Sequence, residues 1–223
     1  MKNILVINPN SSEATTAMMV RIAADEAPPG IKVSGMTARR GPTMIVNEIE
    51  LKAAALEVEE TWRAAGQSWS GVIISAFGDP GIELVRKATQ LPVVGICEAS
   101  MLEAAQGGRR FGIATVTPDL VEAIDARAEE LGLTHLYTGI RLTPGDPRLL
   151  AADPQALEDA LGQAVKRCLE EDKAEAVIIG GGPLGQAALG LAKKFNAPVI
   201  APISAAVRRL SALIQLPPAP ATA

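Results

Sequence analysis

Aromatic residues, cysteine and histidine are all scarce in this chain. Aromatics are 3% of its 223 residues, too few for the stacking platforms that hold single-stranded nucleic acid. Two cysteines and one histidine cannot supply a zinc site of the usual Cys/His kinds or a disulfide framework. No stretch of about 18 apolar residues is present to cross a membrane. The opening Met1-Lys2-Asn3-Ile4-Leu5-Val6-Ile7-Asn8-Pro9 is short of a secretory leader's apolar core and cleavage site. Basic charge is not in excess either: the formal net charge is −4, which argues against a polyphosphate partner. A cytoplasmic protein without a nucleic-acid or membrane partner is the expectation.

What is present is ordinary for a globular chain, with 48% hydrophobic and 21% charged residues. Short apolar runs recur between segments of helical period. Ile4 to Ile7, Ile31 to Met36, Gly71 to Ser75 and Pro92 to Ile96 read as four strands. The second half repeats the order with Phe111 to Ala114, His135 to Leu142, Ala176 to Ile179 and Pro198 to Ile200. Asn10 and Glu13 have capping-box spacing, which predicts a helix from about Ser11. Leu51, Ala54, Ala55, Val58 and Trp62 form one apolar helical stripe, and Leu157, Leu161, Ala164, Val165, Cys168 and Leu169 another behind the cap signal Asp153-Pro154. Alternating strands and helices predict an α/β fold of parallel sheets flanked by helices.

The halves are also similar in sequence. Val72-Ile73-Ile74-Ser75-Ala76-Phe77-Gly78 aligns with Val177-Ile178-Ile179-Gly180-Gly181-Gly182-Pro183 at an offset of 177 − 72 = 105 residues. Leu91-Pro92-Val93-Val94 aligns with Ala197-Pro198-Val199-Ile200 at 198 − 92 = 106. We expect two similar lobes in a pseudo-twofold repeat: residues 1–98 with about 202–216, and residues 99–201. The proline-rich residues 217–223 are expected to fray.

Ligands of open parallel sheets bind beyond the carboxyl ends of the strands, so the loops there are the candidate site. Asn8, Asn10, Ser75, Phe77, Gly78, Thr115, Thr117, Gly181 and Gly182 are the candidate ligand contacts. Their amide, hydroxyl and backbone donors suit a small anion such as a carboxylate. Each Asn, Ser or Thr alone also reads as a helix cap, Thr117-Pro118 being one such signal, but matched sets in matched repeats favour a ligand. The glycine run fits neither a dinucleotide fingerprint nor a phosphate loop; it allows close backbone approach or a tight turn. Glu98 and Cys97 follow a strand on the same side, and Glu98 is the candidate acid or base. Cys97 and Cys168 also read as packing residues, and Asp79 as a turn residue. Arg39-Arg40 fall on the cleft side; Arg109-Arg110 and His135 fall at the far end.

Asn8-Pro9-Asn10-Ser11-Ser12, Phe77-Gly78-Asp79-Pro80-Gly81 and Pro92-Val93-Val94-Gly95-Ile96-Cys97-Glu98-Ala99 together resemble the aspartate/glutamate/hydantoin racemase superfamily, nearest its hydantoin racemase branch. The resemblance spans nearly the whole chain. It implies cofactor-independent chemistry beside a carbonyl, with two thiols, one per lobe, removing and returning a proton from opposite faces. Homo-oligomers are common in that family. This chain departs at both thiol positions, which are Ala76 and Gly181. Gly181 sits in a loop that differs at several residues, whereas Ala76 is a single change that natural drift or deliberate thiol removal would leave alike. The resemblance then implies a small carboxylate or cyclic ureide handled by hydrolysis, isomerisation, elimination or decarboxylation. The alternatives are a catalytically silent binding protein, or a racemase using other acids and bases.

Overall fold

The computed structural model describes residues 1–66 and 68–215. Its first half runs β1 (Lys2–Asn8), α1 (Glu13–Glu26), β2 (Ile31–Thr37), α2 (Glu48–Ala64), β3 (Gly71–Ile74), α3 (Ile82–Ala88), β4 (Val93–Gly95) and α4 (Ile96–Ala104). The second runs β5 (Phe111–Thr115), α5 (Val121–Glu130), β6 (Tyr137–Leu142), α6 (Pro147–Ala151), α7 (Pro154–Glu170), β7 (Ala176–Ile179), α8 (Gly185–Leu191), β8 (Val199–Ile200) and α9 (Pro202–Gln215). The strands pair in parallel as two four-stranded sheets, ordered β2-β1-β3-β4 and β6-β5-β7-β8. One order is the other shifted by four strands, as the sequence repeat predicts. The register repeats too: Val72 faces Val93, and Val177 faces Val199.

Burial explains why these segments are strands. Ile4 to Ile7 in β1 and Ala176 to Ile179 in β7 are wholly buried, because helices cover both faces of the central strands, which must then be apolar throughout. The edge strands β2 and β6 are half-buried along most of their length and tolerate Lys32 and Arg141. One apolar cluster takes Ile4, Val6 and Ile73 from the first sheet and Phe111, Ile113 and Ile178 from the second, with α4 and α9. Helix α9 packs on α1 and α4 and over β3 and β4. The proline-rich residues 217–223 lie outside the described residues.

Three local expectations are corrected. Helix α1 starts at Glu13, and its cap is Ser12, whose Oγ accepts from the Thr15 N–H at 3.2 Å. Asn10 instead shapes the preceding turn, its Oδ1 accepting from the Ser12 N–H at 2.9 Å. Thr117 makes no side-chain cap bond, and Pro118–Leu120 form a 3-10 turn before α5. The fourth strand stops at Gly95, so Cys97 and Glu98 lie in the first turn of α4 and not in a loop.

Helix α4 has glycine where a capping side chain normally sits. The cap comes from Asp79, whose carboxylate accepts from the Cys97 and Glu98 N–H groups, each at 2.8 Å. A Cβ on Gly95 would lie 2.1 Å from Asp79 Cγ, so only glycine admits that carboxylate. Gly95→Ala is expected to destabilise the fold by about 1–3 kcal/mol, the usual range for overpacking. The midpoint of urea unfolding measures this, and an unchanged midpoint would rule out the contact.

Candidate functional site

The two sheets present the carboxyl ends of their central strands to one another across a small cavity. Asn10 follows β1, and Ser75, Ala76 and Phe77 follow β3; these form one wall. Val116, Thr117 and Leu120 follow β5, and Gly180 to Leu184 follow β7; these form the other. Met44 and Ile45, from the segment between β2 and α2, complete the lining. Ser11 fastens the start of that segment, its N–H donating to Pro42 O and its Oγ to Gly41 O.

The repeat is visible in the hydrogen bonds beneath the cavity. In the first half Asn8 Nδ2 donates to Asn10 Oδ1 at 2.8 Å; in the second, the hydroxyls of Thr115 and Thr117 are 3.3 Å apart. Ser75 Oγ donates to Ile7 O at 2.8 Å, and Thr115 Oγ1 to Gly180 O at 2.6 Å. These bonds tie each cavity loop to the neighbouring strand. The N–H groups of Ala76, Phe77, Val116 and Thr117, in the loops that line the cavity, make no backbone hydrogen bond among the described residues.

Of the residues singled out from sequence, Asn10, Ser75, Phe77, Thr117, Gly181 and Gly182 meet at this cavity, together with Ala76. Asn8 and Thr115 are fully buried behind it and position Asn10 and the Gly180 loop. Gly78 has φ of 108° and faces Leu51. Glu98 is elsewhere: its carboxylate accepts from Arg86 at 2.6 Å and from Arg127 at 3.3 Å, and lies 3.4 Å from the Gly95 N–H. The early end of β4 turns Glu98 into the helix, and two guanidinium groups occupy it. Arg40 pairs with Glu57 and Glu60, and Arg109 donates to the Glu103 and Ala104 carbonyls. His135 is exposed. Met44, Ile45 and Leu120 escaped sequence reading, the first two because their segment has no regular period.

The glycine run after β7 answers to the opposite loop. A Cβ on Gly182 would sit 2.4 Å from Ser75 O, and one on Gly180 would touch Phe77 at 3.3 Å and Ile113 at 2.9 Å. The two cavity loops thus approach backbone to backbone, which side chains here would prevent.

No Asp, Glu, His, Lys, Arg or Cys is among the described residues that line the cavity. Cys97 and Cys168 are both buried, and burial raises their thiols, Cys97 well above the ordinary value and Cys168 to about 12. Both sit off the lining as neutral packing groups. Burial also pushes the Asp79 carboxyl up to about 7, against the pull of the Cys97 N–H and Arg127. A carboxyl raised in the folded state binds its proton more tightly there than in the unfolded chain. Its contribution to stability is therefore full near pH 4 and declines as pH rises towards 7. Wild type minus Asp79→Asn stability is expected to fall over that interval in pH-dependent urea unfolding. A flat difference would show that Asp79 titrates normally.

Comparison with known proteins agrees with this architecture. The family described as Asp/Glu/Hydantoin racemase matches residues 4–210. The chain is 31% identical over 215 residues to a hydantoin racemase of Paenarthrobacter aurescens, covering 96% of this chain and 91% of that one. It superposes on an allantoin racemase from Klebsiella pneumoniae with a TM-score of 0.91 and 31% identity, covering 96% of this chain and 88% of the other. Arylmalonate decarboxylase shares the fold at a TM-score of 0.65 and 20% identity, over 94% of this chain and 92% of that one. With two facing parallel sheets, a repeat across the cavity and a match along nearly its whole length, this chain belongs to the Asp/Glu/hydantoin racemase family.

Proposed function

We propose that the chain binds a small carboxylate, including a cyclic ureide that bears one, between its two halves and decarboxylates it without a thiol pair or a cofactor. The observation that carries this reading is the combination of backbone N–H groups without a backbone partner with a lining that, among the described residues, is free of ionisable side chains. The resemblance puts the family's thiols at Ala76 and Gly181, both on the cavity wall, and neither side chain can carry a proton. Hydrolysis needs a base to activate water, while isomerisation and elimination each need a base at carbon. Decarboxylation asks less of the protein. The carbon–carboxylate bond breaks, carbon dioxide leaves, and the electron pair moves onto an adjacent carbonyl oxygen as an enolate. Preorganised donors stabilise that oxyanion, and water then protonates the carbon. Phe77, Met44, Ile45 and Leu120 supply an apolar surround that strengthens those donor contacts by excluding water.

A second reading, a catalytically silent ligand-binding protein, draws on the same lack of ionisable lining residues. The test is a thermal-shift screen with allantoin, substituted hydantoins, N-carbamoyl amino acids, small dicarboxylates and substituted malonates, followed by carbon dioxide release and proton NMR. A ligand at 100 times its Kd should stabilise the fold by about 2.7 kcal/mol, a shift of several degrees for a chain of this size. Binding with carbon dioxide release is the expected outcome. Binding without turnover selects the silent protein, and no binding overturns both readings. Exchange of the substrate α-hydrogen with deuterium oxide by the protein as it stands would instead revive racemisation by other groups.

Thiol restoration adds a further check. Ala76→Cys places one thiol in the cavity and is expected to speed protonation at carbon, raising turnover and making the product enantiomerically enriched. Turnover and enrichment unchanged from the parent would remove position 76 from the reaction.

A further inference from the structure

Away from the cavity lining, the first half contributes Asp79 and Glu98 to a cluster that Arg127 enters from α5 in the second. Arg127 Nη2 lies 3.4 Å from Asp79 Oδ2 and 3.3 Å from Glu98 Oε2, and its Nη1 donates to Glu130 at 2.6 Å. Glu98 is held from its other side by Arg86 at 2.6 Å, and Arg86 pairs in turn with Glu83 at 2.9 Å. Asp79 and Glu98 are buried, and the Arg127 side chain is only 14% exposed. The buried Cys97 thiol also lies beside the cluster. Arg127 Nε has no partner, so the guanidinium is held by its two terminal nitrogens alone.

Both ends of this contact run directly to the cavity. Asp79 follows the lining residues Ala76 and Phe77, and its N–H donates to Ala76 O at 3.0 Å. Arg127 lies on the helix that continues from the lining segment Val116, Thr117 and Leu120. We propose that Arg127 is a positioning residue which, by bridging Asp79 and Glu98, fixes the separation of the two cavity walls. Guanidinium suits that task because its rigid fork anchors Nη1 on Glu130 while Nη2 reaches both Asp79 and Glu98. A bridge of this kind adds little net stability after desolvation but specifies one arrangement of the groups it joins. The cavity reading supplies its functional meaning, while the bridge itself is tested without any ligand.

The experiment measures the distance between nitroxide labels on Lys52→Cys in α2 and Lys166→Cys in α7. The native Cys97 and Cys168 are buried, so the labels report the surface positions of the two halves. In the parent protein we expect a single narrow distribution. Arg127→Met should broaden it and shift its mean beyond the parent width, and Arg127→Lys should give an intermediate result. Leu161→Ala, a cavity in the second-half core, is the control: it lowers the melting temperature and leaves the distribution narrow. Parent-like distributions in both Arg127 variants overturn the proposal, as does equal broadening in the Leu161 control. Should Arg127→Met fail to fold, Arg127→Lys decides alone. Failure here leaves the proposed reaction standing, and failure of the ligand screen leaves the bridge standing.

Discussion

One carboxylate, Asp79, closes the start of the helix that joins the two sheets. Helix α4 is where the chain passes from the first sheet to the second, and it packs on elements of both, among them β4, β7, α5 and α9. Its first turn exposes N–H groups that a helix cannot satisfy internally. Asp79 satisfies two of them from a loop 18 and 19 residues earlier, and negative charge is favoured at that end of the helix dipole. Burying the carboxylate is costly enough to lift its pKa to about 7. Arg127 reaches the same carboxyl from the second half at 3.4 Å.

The cavity is a product of the repeat, but its two walls have diverged for a steric reason. The loop after β3 brings Ser75 and Phe77, while the loop after β7 is reduced to glycines. These differences are complementary, because a Cβ on Gly182 would overlap Ser75 O and one on Gly180 would press on Phe77. One half supplies the bulk and the other gives way to it. The glycines are therefore a condition of closure between the halves, and their chemistry towards a ligand is confined to backbone donors and acceptors.

Those features that arise from local sequence were legible in it. Continuous apolar runs such as Ile4 to Ile7 mark strands covered on both faces, and the 105-residue offset marks the duplication. Thr117, Asn10 and Phe77 were legible as cavity residues because they follow strands whose ends face the cleft. Glu98 was misplaced because β4 has only three residues, and a strand read one residue too far leaves the next side chains in a loop instead of a helix. The Asp79 cap, the Arg127 bridge and the fit of Gly182 against Ser75 join residues distant in sequence. No periodicity encodes them. Met44 and Ile45 lie in a segment whose course is set by Ser11 and by the Asn47 cap of α2, again through contacts and not through pattern.

At position 76 the scaffold and the chemistry separate. What the fold takes from this residue is its carbonyl, which accepts from the Asp79 N–H, and its placement at the end of β3. Its methyl group lines the cavity and also packs in the main apolar cluster, so a thiol there would add a proton carrier and one larger atom to that packing. Position 181 is different, since a Cβ there would lie 2.9 Å from the buried side chain of Leu184. A thiol at 181 would require Leu184 to move, and Leu184 is both a cavity wall and a core residue. The two positions therefore differ in what packing allows, since a side chain at 181 meets Leu184 directly.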